Sequence, residues 1–247
     1  MAACSISDRR TATIRGAGAF ALALLFVCVV AWLQRQGMLD WLNLRLMLLA
    51  GDVRDGGVGR HVTPAMRIAS AVGGTGGRLV LLGLALLVLV VGPQGRRAAW
   101  LAGTVAGGTL LNLALKQIFA APRPDLLPHL DMVTTYSFPS GHAAGNMMFF
   151  GALAMLGGRR WGYASAAMAI ALIGISRVWL GVHWPSDVLA GWVEGLGWLA
   201  LCALWLPARG GQEQRVDEAV VGRHAVGGDE AVDPEAVIGR GGGDQEQ

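Results

Sequence analysis

The sequence predicts an all-α fold, an integral membrane bundle of about six transmembrane helices. Three observations carry this expectation. Only 15% of the residues are charged, where a soluble domain has about a quarter. Hydrophobic residues make up 53% of the chain. They are gathered into runs separated by short polar breaks, the pattern of segments that cross a bilayer.

The first apolar run extends from about Ala17 to Leu33, after a basic stretch with Arg9, Arg10 and Arg15. No small-x-small cleavage pattern precedes Gln34, so the run reads as a retained anchor rather than a cleaved signal. Residues 34–76 mix charges with apolar patches, and Met38–Ala50 suits a short helix at the bilayer surface. The second span is Leu79–Val91, which together with Gly76–Arg78 can just cross a core of about 30 Å at about 1.5 Å per residue. A third runs from Ala98 to about Phe119, a fourth from Ala143 to Leu156, a fifth from Trp161 to Ile175 and a sixth from Val188 to Leu206.

These runs divide the chain into an N-terminal segment (residues 1–16), a six-span domain (17–206) and a tail (207–247). The tail is rich in Gly, Glu, Asp and Val and repeats Asp-Glu-Ala-Val at residues 217 and 229, which predicts disorder. With six spans, Arg9, Arg10 and Arg15, Arg96-Arg97, Arg159-Arg160 and Arg209 fall on one side, expected to be cytoplasmic together with both termini. The loops after the first, third and fifth spans then face outward.

Several classes are disfavoured. A net charge of +3, with no basic patch interleaved with aromatics, gives no case for nucleic acid. Cys4, Cys28 and Cys202 are scattered, which points to neither a disulfide framework nor a zinc site, and no other metal site or cofactor is expected. Of 20 basic residues only Lys116 is a lysine, and it stands at the end of an apolar run.

Three polar clusters remain: Lys116 to Arg123-Pro124, Pro139-Ser140-Gly141-His142, and Ser176-Arg177 through His183 to Asp187. All three fall on the expected outward side. Each has a bland reading. Lys116 and Arg123 could snorkel to headgroups, Ser140 could simply cap a helix, His142 could be structural, and Asp187 could favour a helix dipole with Arg177 as its ion partner.

Taken together they suit an oxyanion. A Pro-Ser-Gly-His helix start offers free backbone N–H groups, a hydroxyl and a glycine that allows close approach. Lys116, Arg123 and Arg177 add an ammonium and two guanidiniums, a set suited to phosphate. Pro185 is a natural first helical residue, which puts Asp187 in a first turn, within reach of the His183 ring. A carboxylate on one ring nitrogen leaves the other as a nucleophile, and His142 can protonate a leaving oxygen.

In order and spacing, Lys116-x6-Arg123-Pro124, Pro139-Ser140-Gly141-His142 and Ser176-Arg177-x5-His183-x3-Asp187 resemble the three-part signature of the type 2 phosphatidic acid phosphatase superfamily. That superfamily includes membrane lipid phosphatases and shares its site with vanadium haloperoxidases. The resemblance covers residues 116–187 and the six-span pattern.

It implies a metal-independent phosphatase that works through a phosphohistidine. His183 would be the nucleophile and Asp187 the residue that orients it. His142 would be the general acid and then the base. Lys116, Arg123, Arg177, Ser140 and the Gly141 backbone would hold the phosphoryl oxygens. The implied substrate is a lipid phosphate or pyrophosphate of the phosphatidic acid, phosphatidylglycerol phosphate or polyprenyl pyrophosphate class. The enzyme would lie in a bacterial inner (plasma) membrane with its site on the periplasmic, outer face.

A lipid phosphotransferase using the same intermediate is a second reading, and an inactive phospholipid-binding or transport protein a third. The hydrophobic runs argue against a soluble vanadate-dependent oxidase. Residues 34–76 and 125–138, with Asp125, His129, Asp131 and Tyr136, are the expected determinants of substrate choice. Oligomeric state is left open.

Overall fold

A computed structural model describes residues 6–207; the expected disordered tail lies almost wholly outside the described residues. The described chain is all helical: α1 (Ile6–Arg35), α2 (Asp40–Asp55), α3 (Gly59–Gly73), α4 (Thr75–Val91), α5 (Gly95–Phe119), α6 (Gly141–Gly157), α7 (Arg160–Trp179) and α8 (Pro185–Cys202), closed by a 3-10 turn at Ala203–Trp205. A helix stands at each of the six apolar runs. α1 begins well before Ala17, so most of the basic N-terminal segment is already helical.

Four helical segments are long and apolar enough to cross a membrane: Arg10–Arg35, Gly95–Phe119, Arg160–Trp179 and Pro185–Trp205. The pair α3 and α4, bent by 57° at its break, makes up to five. The remaining expected span corresponds to α6, whose 17 residues, roughly 25 Å at about 1.5 Å per residue, are just shorter than these. Its first turn stands inside the protein beside the polar cavity described below. The expected surface helix corresponds to α2, which runs further than residues 38–50, and α3 was not expected at all.

α6 and α8 form the centre. α8 packs on α1 and α6, and α6 also packs on α5 and α7. On α8, Gly191 and Gly195 let the two helices close up. A Cβ at Gly191 would stand 2.6 Å from the Ser140 carbonyl oxygen, and one at Gly195 would stand 2.6 Å from the Met147 Cβ. Leu101, Val105, Phe149, Ala152, Leu156 and Leu199 fill the α5–α6–α8 core. Val27, Val30 and Ala31 of α1 pack with Phe138 and Ala190. Leu79, Val80, Leu84, Leu87 and Val88 of α4 are exposed, as suits a face that meets lipid.

The 120–140 connection is held over the ends of α7 and α8. Leu130 N–H donates to the Leu180 carbonyl at 3.0 Å, and Trp179, Leu180 and Val182 pack with Leu130 and Val133. The turn that follows α7 needs Gly181, which has φ +77° and where a Cβ would press on the Pro128 carbonyl oxygen at 3.1 Å.

Candidate active site

Four helix ends meet at one side of the bundle: the last turns of α5 and α7 and the first turns of α6 and α8. They and the α3–α4 break enclose a cavity of about 240 Å³. Lys116, Arg123, Gly141, His142, Arg177 and His183 all line it. Ser140 and Asp187 do not, although each touches the residues that do.

Asp187 is fully buried in the first turn of α8. Its Oδ2 accepts from the Trp184 backbone N–H at 3.0 Å and from the Ser137 hydroxyl at 2.5 Å, and lies 3.2 Å from His183 Nδ1. Its Oδ1 accepts from Gln34 Nε2 at 2.9 Å. Gln34 also donates to Ser186 Oγ at 2.7 Å, and the Ser186 hydroxyl donates in turn to Asn43 Oδ1 at 2.9 Å. The carboxylate therefore has no freedom to turn, and it selects the Nδ1–H tautomer of His183.

His183 lies in the α7–α8 turn and is 2% exposed. Burial lowers its pKa to about 3, and the charges of Arg123 and Lys116 add to the effect against the raising influence of Asp187. The ring is thus neutral at pH 7. Its Nε2 lies 3.2 Å from Arg123 Nη1, which also donates to the Val182 carbonyl at 2.7 Å. Arg123 Nε donates to the Thr135 carbonyl at 2.9 Å. Burial and the nearby Arg177 charge lower the Arg123 pKa to about 10, so the group stays charged.

Lys116 Nζ donates to the backbone carbonyls of Tyr136 at 2.6 Å and Ser137 at 3.1 Å. One turn earlier, Asn112 also lines the cavity and donates to the buried Glu194 at 2.8 Å. Ser140 is fully buried, and its Oγ accepts from Ala143 N–H at 3.5 Å as the N-cap of α6. Ser140 thus sits behind the cavity wall as a helix cap, and Gly141 lines the cavity.

Arg177 pairs with Asp131, not Asp187: Nη1 lies 2.5 Å from the Asp131 carboxylate and also donates to Ser70. Burial alone would raise the Asp131 pKa, but the hydrogen bond and charge of Arg177, with Ser70, outweigh it and hold the carboxyl below its ordinary value. Of the other polar residues of this loop, His129 bonds the Pro124 carbonyl at 2.7 Å.

Gln34, Ser70, Ser137, Asp131, Asn146 and Arg78 surround these residues; the sequence names Asp131 among the expected determinants of substrate choice and places Gln34, Ser70 and Ser137 in the stretches that hold them, but singles out neither Asn146 nor Arg78. Arg78 lines the cavity from the first turn of α4. Its signal was present, a lone arginine between a glycine cluster and an aliphatic run, but it read as part of a span. Among the described residues, no group of three or more His, Cys, Asp or Glu side chains is placed to hold a metal ion.

The chain is 37% identical over 78 residues to an undecaprenyl-diphosphatase of Sulfolobus acidocaldarius, covering 31% of this chain and 36% of that one. It is 37% identical over 123 residues to a lipid A 1-phosphatase of Rhizobium etli, covering 46% and 51%. It therefore spans between about a third and a half of the length of these relatives. The fold is similar to the crystal structure of a transmembrane PAP2-type phosphatidylglycerolphosphate phosphatase from Bacillus subtilis, with a TM-score of 0.63, 21% identity, and coverage of 82% of this chain and 98% of that one. The model of the PAP2 superfamily matches residues 97–210, a stretch that holds all three polar clusters. Residues 97–210 of this integral membrane protein are thus similar to the PAP2 superfamily.

Proposed function

We propose that the protein is a lipid phosphatase that hydrolyses a membrane lipid phosphate or diphosphate through a phosphohistidine on His183, without a metal ion. The observation that carries this reading is the line Asp187–His183–cavity. A fully buried carboxylate holds Nδ1, burial keeps the ring neutral, and Nε2 is directed to a guanidinium that a phosphoryl oxygen could take over.

In this mechanism the phosphoryl group enters between Arg123, Lys116 and the backbone N–H groups at the start of α6. Arg123 leaves Nε2 for a phosphoryl oxygen, and Nε2 attacks phosphorus. The positive charge that forms on the ring is held by Asp187. His142, on the same cavity wall, takes up a proton from solvent once the bound phosphate offsets the charges of Arg177 and Arg78, and gives that proton to the leaving oxygen. It then takes a proton from the water that cleaves the N–P bond, which returns both histidines to the states they held before attack. The cations stabilise charge on the transferring group in the part that magnesium plays elsewhere.

Lys116, His142, Arg177 and His183 stand at one end of the bundle. Arg97 and the Arg159-Arg160 pair stand at the opposite ends of α5, α6 and α7. By the positive-inside rule this supports a site on the outer, periplasmic face of a bacterial inner membrane, with both termini in the cytoplasm. A headgroup can then enter at helix-end level while its tail stays among the lipids.

The reading is tested with purified protein and a panel of lipid phosphates and diphosphates, in the presence of a chelator. The expected result is phosphate release from at least one of them, with an acid-labile, alkali-stable phosphoprotein trapped on brief mixing. A His183→Ala variant that kept full activity would overturn the mechanism.

A further inference from the structure

We infer that the break between α3 and α4 is a second anion site, which holds the leaving phosphate of a lipid diphosphate and makes diphosphates the preferred substrate class. This rests on the reading that His183 attacks and His142 protonates.

Arg78 is 8% exposed, and no carboxylate among the described residues pairs with it. It makes a long hydrogen bond, Nη1 to the Gly73 carbonyl at 3.3 Å. A buried guanidinium without an anionic partner is strongly unfavourable in a membrane protein. It stays where it is because α6 leaves a place for it: at Gly145 a Cβ would stand 2.5 Å from Arg78 Cζ. The side chain thus faces the cavity over a helix surface with no atoms to spare.

The backbone of the break points the same way. Gly74 is the N-cap of α4, and no side chain caps the N–H groups that follow. Thr75 lines the cavity beside Arg78. A Cβ on Gly74 would stand 3.4 Å from His142 Nε2, so the acid and this helix start are neighbours. Asn146 fixes them together: its Nδ2 donates to the Gly73 carbonyl at 2.7 Å and to the His142 carbonyl at 2.8 Å. Irregular backbone at this depth is tolerated where it lines a polar cavity.

The charges are divided between the two histidines. Arg123 Nη1 stands 3.2 Å from His183 Nε2, whereas Arg78 lies against Gly145, one turn along α6 from His142. The cavity is lined by Arg78, Lys116, Arg123 and Arg177 and by no Asp or Glu. Arg177 already has Asp131. Lys116, Arg123 and the start of α6 suffice for one phosphoryl group. Arg78 with the start of α4 remains for a second, beside the histidine that protonates the leaving oxygen.

The step balances. Nε2 of His183 bonds to the terminal phosphorus, and the bond from that phosphorus to the bridging oxygen breaks. The bridging oxygen takes the His142 proton and departs as part of a lipid monophosphate, whose charge Arg78 and the α4 N–H groups hold. Water then releases inorganic phosphate from His183.

The test compares a polyprenyl diphosphate with the matching monophosphate, using the full-length protein in detergent. Wild type should favour the diphosphate in kcat/KM by about tenfold or more, and Arg78→Gln should reduce that ratio by about tenfold. An unchanged ratio, whether both activities fall together or neither does, overturns the proposal. A second measurement needs no variant. Inorganic pyrophosphate should raise the unfolding temperature of wild type at about a tenth of the phosphate concentration that does so. Equal effects of the two anions overturn the site. If wild type hydrolyses neither lipid but shows this preference for pyrophosphate, the anion site stands and the phosphatase reading fails. If it hydrolyses both with a ratio that Arg78→Gln leaves intact, the phosphatase reading stands and the second site fails.

Discussion

Replacing Asp187 by Asn isolates the charge on the catalytic line from its shape. Asn retains an oxygen for the donors Ser137, Trp184 and His183 that converge on Oδ2. The position of Oδ1 becomes an amide nitrogen, and Gln34 can accept it by turning its own amide over, which gives up only its bond to the Ser186 hydroxyl. What is lost is a negative charge 3.2 Å from the ring nitrogen that becomes cationic during attack. At an effective dielectric near 20 such a charge is worth about 5 kcal/mol. The neutral amide returns about 1–2 kcal/mol as an ordinary hydrogen bond. About 3–4 kcal/mol remains, which predicts a fall in kcat of roughly 10²–10³. The assay is steady-state hydrolysis of the best lipid substrate, with thermal unfolding to confirm that the variant is folded. A folded variant with kcat within about threefold of wild type would refute the claim that Asp187 acts on His183 through its charge.

Other outcomes follow from the same contacts. Gln34→Leu leaves Asp187 Oδ1 buried without its donor, so kcat should fall by about tenfold or more with KM little changed; a change confined to KM would count against it. Gly145→Ala places a methyl group against the Arg78 guanidinium, and should lower stability by about 1–3 kcal/mol and shift the diphosphate-to-monophosphate ratio in the direction of Arg78→Gln. The pH dependence follows from His183. With a folded pKa of about 3 against about 6.5 unfolded, the unfolded chain binds the extra proton between these values, so stability falls as pH drops from about 6.5 toward 3. Unfolding temperatures across that range should fall less steeply for His183→Gln than for wild type, and equal slopes would show that the histidine does not titrate as described.

What could be read in the chain before folding was whatever lies close in sequence. Apolar runs announce helices because the bilayer demands them, and the three motifs are legible because their spacing places each at a helix end. α3 escaped notice because Arg60, His61, Pro64 and Arg67 interrupt its apolar residues, although one face packs on α7. The partners of the motif residues were harder. Asp131 reaches Arg177 across 46 positions and Gln34 reaches Asp187 across 153, and only tertiary packing brings such groups together. Arg78 does lie in the span to which the sequence assigns it, but its inward direction is not legible there. Arginines at the ends of apolar runs usually snorkel to headgroups, and nothing local distinguishes one that is instead folded inward over a glycine.

The bond from Gln34 to Asp187 joins the first helix to the last. In chain order, the nucleophile and the carboxylate behind it emerge after the other clusters, and the amide that steadies that carboxylate emerges before all of them. Until α8 has docked against α1, Asp187 stands at a helix start with Oδ1 unsupported, and only Ser137 and Trp184 fix the carboxylate behind His183. In the proposed mechanism the carboxylate behind the attacking ring is therefore fully held only once the first and last helices have met.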